Sequence, residues 1–337
     1  MTSDAQHVLS VMVVALNEAQ HLPNLKEAVD HLHLPDGWHV ETILIDGGSK
    51  DGSVEIAREA GFDECLVFPG ATIPICRNHA LKAARGSALA FLDGDCVPER
   101  DWLIEAEPWL LKPIPVMLGY PVQPPDSGNW IHRSWHAHWH HKNTASRQGD
   151  PEPVTTDAFR MITTRNMLFN RKLLEIIPQF DETLTTGEDT DFAFRATQAQ
   201  CEVVALPSLR VTHHGEPSTL REYYRQQLWH ANRKAYGTIL KSSGGKSGAN
   251  AILFSIAFLL GLILAVLGLV LAVLITPWAL LLLTPLVGVT GLPALLIADR
   301  ANSPVLFIRL TILYFLYGLA RSVDLVGLSP QKKSWKS

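Results

Sequence analysis

Residues 88–96 read ALAFLDGDC, an apolar run of strand length that stops on two aspartates separated by one glycine. An uninterrupted apolar strand suits a parallel sheet covered on both faces, and in open sheets of that kind ligands bind beyond the carboxyl ends of the strands. Asp93 and Asp95 at such an end can both reach a hard divalent cation, and the glycine between them leaves room for a bulky ligand. An isolated Asp-x-Asp turn is common without a metal, so its meaning depends on what shares the rim.

The flanking chain supplies that rim. LSVMVVAL (9–16) is a second continuous apolar run, NEAQHLPNLKEAVDHL supplies a helix, Pro35, Asp36 and Gly37 form a turn, and ETILID (41–46) is another strand. DGSVEIAREAG (51–61) predicts a helix closed by a glycine, followed by ECLVFPG, a helix over RNHALKAARG and the strand ALAFLD. Strands alternating with helices predict an α/β domain with a mixed, mostly parallel sheet and helices on both faces. Asp46 then ends one strand and Asp93 another, with Asp51, Arg77 and Asn78 beside them, parts suited to gripping a nucleotide and its diphosphate. No Gly-x-Gly-x-x-Gly turn follows the first strand, where ALNEAQ stands, which argues against a dinucleotide-dependent oxidoreductase.

A chain of 337 residues exceeds what a single core usually organises. Its net charge of -4 gives no basic field, so nucleic acid is not an expected partner. Cys65, Cys76, Cys96 and Cys201 form no Cys-x-x-Cys pair and read as reduced thiols facing the cytosol. The N-terminal MTSDAQHVLSVMVVALNEAQ lacks a basic n-region and does not read as a secretory signal.

The composition changes once. Residues 1–240 read as a cytosolic α/β domain, and KSSGGKSGAN (241–250) as a flexible link. Residues 251–328 then read as a membrane region. The uncharged run 251–275 exceeds the roughly 20 residues a membrane helix needs, and 278–298 supplies a second span with internal prolines. A third segment, 305–326, carries Arg309, Arg321 and Asp324, and either spans or lies in the interface. With a cytosolic N-terminal domain, two spans keep the basic tail 329–337 in the cytosol, whereas a third would carry Lys332, Lys333 and Lys336 outside.

In order and spacing, VMVVALNE, IDGGSKDGS, CRNHALKAARGSALAFLDGDC, TTRNMLFNR, FDETLTTGEDTDFAFR and VTHHG make residues 9–237 resemble an inverting family-2 glycosyltransferase with the GT-A fold. The resemblance implies that Asp46 contacts the base of a nucleotide-sugar, Arg77 the nucleotide, and Asp93 the ribose and metal side. It implies Asp95 as ligand of Mg²⁺ or Mn²⁺, with His213 either a further metal contact or a loop cap. It makes Asp189 the base that deprotonates the acceptor hydroxyl, with Glu188 positioning the acceptor, and leaves the reverse assignment open. Asp191 reads as a third contact or as a helix N-terminal charge. Gly47 stands where many relatives carry a second aspartate, so one contact to the base or ribose is missing.

The Gln-x-x-Arg-Trp signature of processive synthases is absent from YYRQQLWHANRKAYG (223–237). The expected function is transfer of one sugar, from a uridine-linked donor, to a lipid-linked or membrane-proximal saccharide acceptor at the inner (cytoplasmic) membrane, in cell-surface polysaccharide or glycolipid synthesis. A polyprenyl-phosphate glycosyltransferase and a non-catalytic nucleotide-binding scaffold are the alternatives. Arg225, Arg233 and Lys234 read as contacts for a lipid phosphate or as solvated charges. NWIHRSWHAHWHHKN (129–143) reads as an acceptor-side helix with Trp130, Trp135 and Trp139 at the bilayer interface. His132, His136 and His140 would share a face of it, a weaker pattern for metal.

Overall fold

The computed structural model describes residues 7–144, 153–184, 186–231 and 246–328. They fall into two compact units, one of residues 1–125 and 148–215, the other of 126–147 and 216–337.

The first unit holds strands β1 (His7–Ala15), β2 (Trp38–Asp46), β3 (Glu64–Val67), β4 (Ala88–Asp93), β6 (Val116–Gly119), β7 (Met167–Asn170) and β8 (Glu202–Ala205) in one sheet. Their order is β3-β2-β1-β4-β7-β6-β8, with β7 antiparallel to both neighbours and the other pairings parallel. Strands β5 (Cys96–Pro98) and β9 (Val211–His213) pair separately and antiparallel.

Both faces are covered, which explains the uninterrupted apolar runs. Leu9, Val11 and Val13 enter a core with α1 (Leu22–Asp30) and α4 (Trp102–Leu110). Met12, one residue out of phase, enters the opposite core with α3 (Ile73–Ala83) and α7 (Glu188–Gln198). Helix α1 shows why it forms: Pro23 sits in its first turn, and Leu22, Leu25, Lys26 and Val29 bury one stripe. Helix α2 (Ser53–Glu59) starts from Gly52 in the left-handed region, and α6 (Leu173–Ile176) is one short turn. The parallel register sets Ala15 beside Asp46 and Val14 beside Asp93, so three strands end on one rim.

The second unit is helical: α5 (Trp130–Thr144), α8 (Leu220–His230), α9 (Lys246–Leu274), a 3-10 segment (Pro277–Leu283), α10 (Thr284–Arg300) and α11 (Pro304–Leu325). A capping box between Thr219 and Glu222 starts α8. Three stretches, Ile252–Leu274, Pro277–Arg300 and Pro304–Leu325, are long and apolar enough to cross a membrane.

Two expectations change here. Helix α9 begins at Lys246, inside the stretch read as a flexible link, because an apolar helix already nucleated extends readily into poor helix formers; residues 241–245 and 329–337 lie outside the described residues. Trp135, expected at the bilayer interface, is 8% exposed and packs edge-on against Tyr223 at 5.2 Å and Tyr314 at 6.0 Å. The spacing identified an apolar helix face without saying what covers it. Trp130 is half-buried, with the Arg309 guanidinium 5.9 Å from its ring centroid. The side chains of Trp139 and His140, and residues 233 and 234, lie outside the described residues.

Candidate donor and metal site

The turn after β2 is shaped by Asp46, which is fully buried. Its Oδ1 accepts from the amides of Gly48 at 2.8 Å and Ser49 at 2.7 Å, and its Oδ2 accepts from the Ser49 hydroxyl. Asp51 ties this turn to the end of β1 by accepting from the Ala19 amide at 3.1 Å and from Ser53. Desolvation pushes its carboxyl up, but the bonds from Ser53 and Ala19 outweigh that and hold it below the usual range. Two carboxylates thus build the concave turn at the sheet rim.

The Asp-Gly-Asp segment lies across from it. The side chain that Gly94 lacks would sit 3.0 Å from Cβ and Cγ of Glu18, so the glycine admits Glu18 to the site. Asp95 is 6% exposed and its Oδ1 lies 3.1 Å from Nε2 of His213, also 6% exposed. Pairing of β5 with β9 sets this contact: Cys96 stands opposite His213, and the His214 amide donates to the Asp95 carbonyl at 2.8 Å. Gly215 follows, and a Cβ there would fall on the Asp95 carboxylate. Asp95, Cys96 and His213 bring ligand atoms within 4.8 Å of one another.

The expected metal set is therefore assembled in part, with Cys96 beside Asp95 and His213, and Asp93 outside that cluster. Desolvation pushes the Asp93 carboxyl up, Arg77 opposes this, and Asp95 adds to it. Burial, helped by Asp95 and Asp93, holds the Cys96 thiol far above its ordinary range, so it stays protonated. A carboxylate and an imidazole at one point suit a first-row transition ion better than Mg²⁺, which favours oxygen alone. The site fits such an ion.

Arg77 and Glu188 meet in the interior, 6% and 5% exposed, joined by a direct ion pair. Burial alone would lower the guanidinium, but Glu188, Asp189 and Asp93 together push it up and keep it charged. Burial raises the Glu188 carboxyl most, against the pull of Arg77. Glu188 Oε2 and Arg77 Nε are buried without a hydrogen-bond partner among the described residues. Asp189, half-buried, accepts among the described residues only from its neighbour Thr190, at 2.7 Å from the amide, which leaves most of its carboxylate available there. Both acids open α7 behind Gly187 (φ 78), where the helix dipole favours negative charge. Asp191 is bound by Arg195 at 2.8 Å. Asn78 fixes the approach to α7: its amide donates to the Phe180 carbonyl at 3.1 Å and to Glu182 at 2.8 Å, and it accepts from the Phe180 amide at 2.8 Å.

The residues that sequence reasoning passed over are Cys96, Glu18 and Arg165. Cys96 carried a signal, standing next to Asp95. Glu18 ends the quoted VMVVALNE, but its closeness to Gly94 arises only from the register of β1 and β4. Arg165 acts electrostatically on Asp93 and Cys96 from the loop before β7. Among the described residues, the histidines of α5 form no metal cluster; His132 Nε2 is 3.0 Å from the Glu216 carbonyl.

A mostly parallel sheet whose strand ends carry the Asp46 turn, an Asp-x-Asp segment and an acidic helix start has the architecture of the GT-A fold. Residues 10–175 match the model described as glycosyl transferase family 2. Over 110 residues it is 34% identical to glycosyltransferase AglE of Haloferax volcanii, a match that spans 31% of this chain and only 35% of that one. The fold resembles mannosyltransferase PcManGT from Pyrobaculum calidifontis, solved with GDP-Man and Mn²⁺, with a TM-score of 0.59 and 16% identity over 95% of this chain and 87% of that one. It also resembles S. aureus TarS 1-349, with a TM-score of 0.50 and 16% identity over 95% and 91%.

Proposed function

We propose that the protein is a membrane-anchored, inverting glycosyltransferase that moves a single sugar from a nucleotide-sugar, uridine-linked by its resemblance, to a lipid-linked or membrane-proximal acceptor. The observation that carries this reading is the pairing of Asp95 with His213 at one strand end, in the same unit as a half-buried Asp189 whose neighbour Glu188 is already engaged by Arg77. Asp189 takes the proton from the acceptor hydroxyl, since it is the acid of the pair with free carboxylate oxygen. Glu188 holds Arg77 and thereby the start of α7, a positioning role. Arg77 keeps its charge toward Asp93 and the donor. The turn around Asp46 and Asp51 receives the base and ribose through its backbone, because Asp46 spends its oxygens on Gly48 and Ser49. A divalent cation held by Asp95 and His213, with Asp93 close by, would neutralise the charge that develops on the departing nucleoside diphosphate.

Helices α9 and α10 cross the bilayer as a hairpin from a cytosolic N-terminal domain, at the inner membrane. Helix α11 is long enough to follow, yet it packs along α5, from Trp130 at Arg309 to His138, which lies 2.7 Å from the Tyr314 hydroxyl. Its charges and the basic tail favour a position in the interface.

The test is a screen of nucleotide-sugars with the full-length protein in membranes or detergent, with Mn²⁺ and with Mg²⁺, reading release of nucleoside diphosphate with and without polyprenyl-linked acceptors. Metal-dependent release from one donor, increased by an acceptor, is expected. Release from no donor under any condition would overturn the reading.

A further inference from the structure

Strand β5 opens on Cys96, which is fully buried and stands directly opposite His213 on β9. Residues opposite each other on an antiparallel pair project to the same face, so this thiol and this imidazole leave the ribbon side by side. The Asp95 carboxylate joins them from the turn before β5: its Oδ1 lies 3.1 Å from Nε2 of His213 and accepts from the Cys96 thiol at 3.9 Å. Around a tetrahedral zinc ion, with bonds of about 2.0–2.3 Å, neighbouring ligand atoms stand about 3.3–3.6 Å apart. The two observed separations bracket that spacing. A sulfur, a nitrogen and an oxygen thus converge where an activating Mn²⁺ would use the nitrogen and the oxygen alone.

The sulfur changes which ion the site prefers. Thiolate is a soft ligand that selects zinc, whereas manganese favours oxygen ligands in octahedral geometry. A manganese ion on Asp95 and His213 leaves the thiol protonated and keeps most of its coordination positions for a diphosphate. A zinc ion deprotonates a thiol that coordinates it. As the zinc–sulfur bond forms, the sulfur–hydrogen bond breaks and one proton per ion passes to water. Three protein ligands then leave a tetrahedral ion a single open position, too few for a diphosphate that chelates through two oxygens.

We infer that Asp95, Cys96 and His213 form an inhibitory site for zinc, a thiophilic divalent cation that displaces the activating ion and closes the donor site. Cys96 is the residue that sets this selectivity. The inference rests on the transferase reading for what zinc inhibits, while the binding of zinc itself is independent of it.

The experiment titrates the metal-free full-length protein in detergent with Co²⁺, a coloured stand-in for zinc, and reads the sulfur-to-cobalt charge-transfer band in the near ultraviolet. The band should form and should vanish when Zn²⁺ is added. Cys96→Ala, which keeps the core apolar, should lack the band and should need at least about tenfold more zinc than the parent to expel bound Mn²⁺, read from the manganese spin resonance signal. Cys96→Ser replaces it if Cys96→Ala does not fold, as judged by its elution on size exclusion. The double substitution Cys65→Ser, Cys201→Ser should keep the band. In the donor screen, zinc added over Mn²⁺ should suppress release of nucleoside diphosphate more strongly in the parent than in Cys96→Ala. No band, a band retained without Cys96, an equal zinc requirement in parent and variant, or release that zinc leaves unchanged would each overturn the inference. The band and the displacement need no donor, so they decide the zinc site even where the donor screen finds none, and their failure leaves the transferase reading standing.

Discussion

Arg77 on α3 and Glu188 at the start of α7 are buried against each other, a charge pair that joins two helices of one unit. Breaking such a pair leaves one desolvated charge uncompensated, at a cost of about 3–5 kcal/mol, while replacing both partners by apolar groups is often neutral. Arg77→Met alone should lower the unfolding temperature markedly, and Arg77→Met with Glu188→Leu should recover much of it. Thermal unfolding of the three proteins gives the answer, and an unrecovered double variant would show that Arg77 is held by something other than Glu188.

Asp189→Asn should reduce kcat by about 10²–10⁴, the usual range for loss of a general base, and leave donor affinity unchanged. Glu188→Gln should reduce stability along with activity, because it unpairs Arg77. Retained turnover in Asp189→Asn would remove Asp189 from the base role.

Activation should favour Mn²⁺ over Mg²⁺, since His213 offers nitrogen beside the Asp95 oxygens. His213→Ala should narrow that preference and weaken Mn²⁺ activation by at least about 10–100-fold, the range seen when groups that merely orient metal ligands are lost. Gly215→Ala should behave like the ligand variants, because its methyl would occupy the space of the Asp95 carboxylate. Metal titrations of initial rate measure all three.

Glu41, on β2, links β1 to the loop before β4 far from this chemistry, accepting from Ser10 and from the Arg85 amide at 2.7 Å. Desolvation raises its carboxyl, but the bonds from Ser10 and Arg85 outweigh that and leave it below its ordinary 4.5. A depressed folded value stabilises the fold above the unfolded value and loses that contribution as pH falls through the folded one. Glu41→Gln should therefore cost about 1–3 kcal/mol near pH 7, with the gap to the parent closing below pH 4.5. A gap that stays constant with pH would refute this.

If α11 lies in the interface, the C-terminus stays on the cytosolic side. A C-terminal green fluorescent protein fusion should fluoresce and an alkaline phosphatase fusion should be inactive. The opposite pattern would make α11 a third span.

The strands that carry Asp46 and Asp93 were legible because burial on both faces leaves an uninterrupted apolar signature. Strands β5 and β9 have three residues each and leave none, so the pairing that sets His213 on Asp95 could be reached only through resemblance. Trp135 shows the limit of pattern reading from the other side. Its helix was legible, but its partners Tyr223 and Tyr314 are remote in sequence, and tryptophan suits a protein core as well as a bilayer edge. The engagement of Glu188 by Arg77 was equally invisible, since spacing marks an acid without marking its partner.

The antiparallel pairing of Cys96 with His213 also carries a consequence for synthesis. The ribosome delivers both aspartates of the Asp-Gly-Asp segment early, yet Asp95 has no His213 beside it until β9 emerges and pairs with β5. That strand precedes the first long apolar helix in the chain. Because domains fold from the N-terminus as they emerge, Asp95 can meet His213 before any of the three long apolar helices leaves the ribosome, and a nascent chain stalled between α7 and β9 would hold Asp93 and Asp95 without that histidine.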